Sequence, residues 1–146
     1  MKKMYKHYDE FDQDWKWKNF TVKELSCKCC GEYYHDPESL DMIQAARDIS
    51  GRSYRINSAH RCEAHNKAVG GMPASMHLKI AFDVSLNGHN KKELLQALFD
   101  GGLTTFGLYA GFIHTDSRDY KQWYGCAKNL WGDIYKEVVE IDNELE

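Results

Sequence analysis

Burying an ionisable side chain in a strand is costly unless something pairs it, and two stretches of this chain do so repeatedly. The segment SMHLKIAFD at 75–83 sets His77 and Asp83 among apolar, strand-forming residues, and FIHTDS at 112–117 does the same for His114 and Asp116. A fold that accepts both segments must bring these groups to partners. Two histidines and a carboxylate are also the donor set of a hydrolytic zinc site, in which three protein ligands leave the fourth position to water. Any one of these histidines taken alone is more often a satisfied core or surface residue than a ligand. The set of His77, Asp83 and His114 on predicted strand edges is what points to a metal.

The surrounding pattern places these residues on a small sheet. IAFDV at 80–84 reads as a strand, and TFGLY and GFIHTD read as a hairpin with a tight connection at Ala110 and Gly111. YRINS at 54–58 alternates as another strand, and CEAHNKAV at 62–69 is a short helical stretch ended by Gly70 and Gly71. Asp36 as cap, Pro37 in the first turn, and Leu40, Ile43, Ala46 and Ile49 at helical spacing before Gly51 predict a helix. A second helix is predicted over 90–102, with Asn90 as cap and Glu93 three residues on. Residues 1–20 read as an ordered N-terminal arm that packs through Trp15, Trp17 and Phe20, while 118–135 give neither a helix nor a strand. The fold class expected is α+β, a small antiparallel sheet flanked by helices.

A chain of 146 residues fits a single domain with its own core. Its formal charge of −3 gives no general attraction to nucleic acid or to an anionic membrane, so neither is expected as a partner, and a monomer is expected. No run approaches the roughly 18 apolar residues of a membrane span. The opening MKKMYKHYDEFDQDWKW has basic residues without the apolar core of a signal peptide, so synthesis without export is expected. Three of the five cysteines crowd into SCKCCG at 26–31. With Cys62 they could make a disulfide between that turn and the loop at 62, three thiolates of a small structural metal site, or simply free thiols. A nucleophilic Cys62 paired with His65 or His77 has no supporting motif.

The segment NSAHRCEAHNKAVGGMPASMHLKIAFDVS resembles zinc D-Ala-D-Ala carboxypeptidases and related phage endolysin peptidases. Their pattern runs S-G-Y-R-x-x-x-H-N, then V-G-G-x-x-x-S-x-H-x-x-G-x-A-x-D. GLTTFGLYAGFIHTDSRDYKQW is similar to the second half of the same family, with F-x-H-x-D and R-x-W, and LSCKCCGEYYHDPESLDMIQAARD resembles its opening. The similarity spans about residues 20–125. It implies the hedgehog/DD-peptidase fold and a Zn2+-dependent metallopeptidase that cleaves peptidoglycan stem peptides, as a carboxypeptidase or a cell-wall endopeptidase. It assigns His77, Asp83 and His114 to zinc and Arg61 to the terminal carboxylate of the substrate, and it puts Ser75 near the substrate. Absence of an export signal fits a phage lysis protein acting on the cell wall, again by resemblance.

Two departures from the family pattern carry expectations of their own. His77 and Asp83 are six residues apart here and seven in the family, as if the glycine of H-x-x-G were deleted. Because strand side chains alternate faces, the loop before Ile80 must absorb the change if Asp83 is to reach the metal. Several family branches carry Glu or His three residues before the second zinc histidine, where this chain has Gly111. Asp116, two residues after His114 and on the same strand face, is therefore the candidate general base, or else the carboxylate that orients a ligand histidine. The alternative to a peptidase is a metal-binding module on the same fold with little or no turnover, as hedgehog-type signalling domains suggest.

Overall fold

The computed structural model describes residues 1–118 and 122–124, together with 131, 134, 137 and 138. Cys126 and most of the polar stretch after 118 lie outside the described residues.

The longest helix, α2 (Pro37–Ser50), forms where the sequence places its signals. The Asp36 carboxylate accepts from the backbone N–H and the hydroxyl of Ser39, Pro37 opens the first turn, and Gly51 closes the last. Leu40, Ile43 and Ala46 are fully buried, but Ile49 is 54 % exposed. Repeated steps of three fall short of the helical period of about 3.6, so nine residues on from Leu40 the side chain points to the opposite face. Helix α4 (Lys91–Asp100) starts at Asn90, whose side chain accepts from the N–H of Glu93, and it buries Leu94, Leu95, Ala97 and Leu98. The two helices pack on each other and cover one face of a sheet. Two shorter helices precede and follow the first sheet strand, α1 (Val22–Leu25), closed by reciprocal capping of Thr21 and Glu24, and α3 (Glu63–Ala68).

That sheet has five strands in the order β3 (Ile56–Ser58), β4 (Phe82–Ser85), β6 (Phe112–Asp116), β5 (Thr105–Leu108), β7 (Gln122–Tyr124). The first three pairings are antiparallel, as the sequence predicts, and β7 runs parallel to β5. This parallel edge departs from the expected all-antiparallel sheet. β6 ends at Asp116 opposite Thr105, the first residue of β5, and β7 begins opposite the same residue on the outer edge of β5, so it runs parallel to β5. Along β4 and β6 the side chains alternate: Phe82, Val84 and Ile113 join the core, while Asp83, His114 and Asp116 fall on the other face.

The N-terminal arm is ordered, and Trp17 and Phe20 are buried as expected. Its strand β1 (Lys3–Tyr5) pairs antiparallel with β2 (Tyr33–His35), and the Trp17 indole N–H donates to Asp41 on α2 at 2.9 Å. Among the described residues no helix is long and apolar enough to cross a membrane.

Candidate metal centre

Asp83 and His114 are directly opposed partners in the β4–β6 ladder, so the register itself brings a carboxylate and an imidazole to one point on the sheet. His77 reaches the same point from a single 3-10 turn, Met76–Leu78, just before β4. His77 Nε2 stands 3.1 Å from Asp83 Oδ1, and His114 Nδ1 stands 3.2 Å from each of them. The shortened spacing is therefore absorbed where it had to be. Lys79 ends the turn at φ −111° and ψ −105°, outside both the helical and the extended regions, buried Ile80 and Ala81 bridge to the strand, and Phe82 keeps its place in the core.

The far sides of both rings decide what the near sides offer. His77 Nδ1 lies 2.6 Å from the Ala59 carbonyl, which can only accept, so that nitrogen carries the proton and Nε2 presents a lone pair. His114 Nε2 lies 2.8 Å from the Asp116 carboxylate, which by the same logic leaves the lone pair on Nδ1. Three lone-pair atoms, His77 Nε2, Asp83 Oδ1 and His114 Nδ1, thus face one another in a buried triangle. Such an arrangement is repulsive without a cation or a proton at its centre. A tetrahedral ion about 2.0–2.1 Å from each donor sets the donors roughly 3.3 Å apart, close to the triangle found. The residues fit a zinc ion.

In the metal-free chain a proton takes that place. Burial alone disfavours charge on His114, but the contacts with Asp116 and then Asp83 outweigh it and push its pKa up. Burial likewise opposes ionisation of Asp83, yet its contacts with His114 and then His77 hold it down to about 2. The His114 contribution to apo stability is then full below about pH 6.5 and is lost as pH rises through the raised folded value. The Asp83 contribution is full above about pH 3.9 and is lost as pH falls towards its lowered value. Zinc requires the unprotonated Nδ1, so its affinity follows the opposite course and weakens as pH falls through the His114 transition. Thermal unfolding of chelator-treated protein between about pH 5 and 8 should show a falling melting temperature towards the alkaline end. Zinc titrations over the same range should show tightening.

Asp116 lies beneath His114 and is fully buried. Besides His114 it accepts from Arg118 through Nε and a terminal nitrogen, both at 2.9 Å, and its pKa is held down against burial by His114 and Arg118. It does not line the cleft above the three donors.

That cleft, of about 670 Å³, runs between the loop 69–76 on one side and Tyr109 and Phe112 on the other, with His77, Asp83 and His114 at its floor. Arg61 forms part of its wall. Its Nε donates to Ser58 Oγ, one terminal nitrogen donates to Asn66 Oδ1, and the other reaches Asp83 Oδ2 at 3.5 Å. Asn66 is itself buried and donates to the Met72 carbonyl, so it links the guanidinium to the cleft rim. A Cβ on Gly71 would come 2.0 Å from Asn66 Oδ1, and only glycine leaves room for this link. Ser75 also lines the cleft, with its hydroxyl accepting from the His77 N–H at 3.1 Å. Gly111 sits at the β5–β6 turn and adds no functional group. Among the described residues lining the cleft, Asp83 is the one carboxylate.

Ser58, Asn66 and Arg118 are parts of this constellation that sequence reasoning did not single out. Ser58 and Asn66 stood at the first and last positions of the quoted S-G-Y-R-x-x-x-H-N motif, and Arg118 within the segment compared with R-x-W, but the sequence reading gave none of them a role.

No curated protein matches the chain. The family model described as Peptidase M15 matches residues 18–116, a span that takes in the β2–α2 opening, Arg61, and the three donors with Asp116. With the matched segment and the donor triangle coinciding on the same strands, the chain belongs to the peptidase M15 family.

Proposed function

We propose that the protein is a zinc-dependent peptidase of peptidoglycan stem peptides, acting as a carboxypeptidase on a terminal D-Ala-D-Ala. The observation that carries this reading is the set of three converging lone pairs at the floor of a cleft whose wall holds a fixed arginine. His77, Asp83 and His114 would hold the zinc ion. When bound, zinc supplies Lewis acidity and lowers the pKa of a water in its open position to about 7. Arg61, set by Ser58 and Asn66, pairs with the free carboxylate of the substrate, for which its planar fork is suited. Ser75 keeps the turn that carries His77 in place. Asp116 acts as a positioning residue, since it keeps the proton on His114 Nε2 and has no access to a water in the cleft.

The purified, zinc-loaded protein should release the terminal D-amino acid from a stem pentapeptide. Cleavage of internal cross-links alone would make it an endopeptidase, and full zinc loading without cleavage of either would leave a binding module. The last reading draws on one observation, that a second carboxylate is missing from the described cleft.

Asp116→Ala should weaken zinc binding by about 10- to 100-fold, the usual cost of losing a carboxylate behind a ligand histidine. Chelator-competition titrations read this directly. A variant that binds zinc as tightly as the parent but loses turnover would instead mark Asp116 as a proton carrier.

A further inference from the structure

Away from the cleft floor, one sulfur from each of Cys27, Cys29, Cys30 and Cys62 lies within 4.8 Å of all the others. Cys29 Sγ stands 3.5 Å from Cys27 Sγ and 3.5 Å from Cys62 Sγ, and all four are free thiols. Disulfide bonding would sort four cysteines into pairs with sulfurs about 2.0 Å apart. Here one sulfur has two equal neighbours, and the group closes on a common centre. A zinc ion about 2.3 Å from each of four thiolates would hold them roughly 3.8 Å apart, close to these separations.

The backbone around the sulfurs is built to hold them. The turn is closed by the Cys27 N–H donating to the Glu32 carbonyl at 2.7 Å and the Gly31 N–H donating to the Cys27 carbonyl at 2.9 Å. Gly31 has φ +81°, and a Cβ there would meet the His7 ring at 2.6 Å. Two backbone donors point at sulfur, the Cys62 N–H at Cys27 Sγ (3.4 Å) and the His65 N–H at Cys62 Sγ (3.3 Å). Donors so placed favour thiolates. Lys23 and Lys28 line a surface hollow together with Cys27, Cys29 and Cys30 and would offset the net negative charge of a tetrathiolate.

We propose that Cys27, Cys29, Cys30 and Cys62 form a second, structural site for a thiophilic divalent cation, zinc foremost, that ties the 27–31 turn to the backbone directly after Arg61. Four protein sulfurs leave no position for water, so the site is closed and takes no part in hydrolysis. Its role is mechanical. A part-buried bond between His60 and Glu32 at 2.7 Å already joins the same two segments one step away, and the metal would complete the clamp on the loop that presents Arg61. The inference does not depend on what the histidine site does.

The full chain, purified under reductant and loaded with zinc, provides the test through elemental analysis and zinc-edge X-ray absorption. Two zinc ions per chain are expected. The His77→Ala/His114→Ala double variant should keep one, with sulfur-only scattering, and Cys29→Ser/Cys62→Ser should keep one, with nitrogen and oxygen scattering only. A histidine site that does not bind zinc would instead remove the nitrogen and oxygen signal from the parent protein and leave the sulfur signal, while a site that binds zinc without catalysis leaves both signals in place. A histidine double variant that holds no zinc, or a disulfide among the four cysteines in the reduced-purified parent, overturns the proposal. Should either variant fail to fold, cobalt substitution of the parent decides: sulfur-to-cobalt charge-transfer absorption supports the site, and its absence sinks it.

Discussion

Asp83→Ala should abolish zinc-dependent peptide hydrolysis and weaken zinc binding by well over 100-fold. Loss of a group behind a ligand costs about 10- to 100-fold in affinity, so loss of a direct ligand must cost more. Asp83 is the single negative ligand of the three and the cross-strand partner of His114, and its carboxylate also faces Arg61. Alanine there would leave His114 and Arg61 near one another without the charge between them. Asp83→Asn separates the two effects, since it keeps the volume and an oxygen donor but removes the charge. It should fold like the parent and bind zinc with intermediate affinity. Chelator competition and circular dichroism on the same samples distinguish a lost ligand from a lost fold.

The second large effect is expected at Arg61. Truncating one partner of a buried, hydrogen-bonded charge pair costs about 2–5 kcal/mol, or roughly 30- to several-thousand-fold in kcat/KM. Arg61→Ala should show that loss on a stem peptide with a free terminal carboxylate. On the same peptide amidated at its C-terminus, parent and variant should be similarly slow. Because Arg61 also touches Asp83, zinc content has to be measured alongside, and it should stay near one equivalent at the histidine site. Equal losses on both peptides would mean that Arg61 supports the metal centre and does not read the substrate terminus. Arg61→Lys should recover little, because a point charge cannot reproduce a fork held by Ser58 and Asn66.

The parts of the fold that were legible in the sequence are those written in local chemistry. Asp36, Pro37 and Gly51 mark α2, Asn90 marks α4, and the alternation through Phe112–Asp116 marks the strand that carries His114. β1 and β2, of three residues each, stand in stretches without an alternating pattern and were not read, and their pairing depends on residues far apart in sequence. The parallel edge at β7 likewise follows from where β6 ends, beside the first residue of β5. Ile49 shows the limit of spacing by threes, since a run that looks periodic over two turns has drifted off the core face by the third.

The site divides in the same way. His77, Asp83 and His114 could be named because each is an ionisable residue in strand-like company. Whether Asp83 could reach its partners across the shortened segment was a question of backbone geometry, answered by the turn at Met76–Leu78 and the bridge through Ile80 and Ala81. Asp116 could be assigned either of two roles from its position in the strand. Its burial under His114 and its pairing with Arg118 favour the orienting one, and neither is visible in a spacing.

A crystal of the zinc-loaded protein, with anomalous diffraction collected on both sides of the zinc edge, shows whether the three donors share one metal ion. A zinc peak is expected about 2.0–2.2 Å from each of His77 Nε2, Asp83 Oδ1 and His114 Nδ1. A triangle without zinc at its centre, or a peak bound by the two histidines with Asp83 turned away, would contradict it.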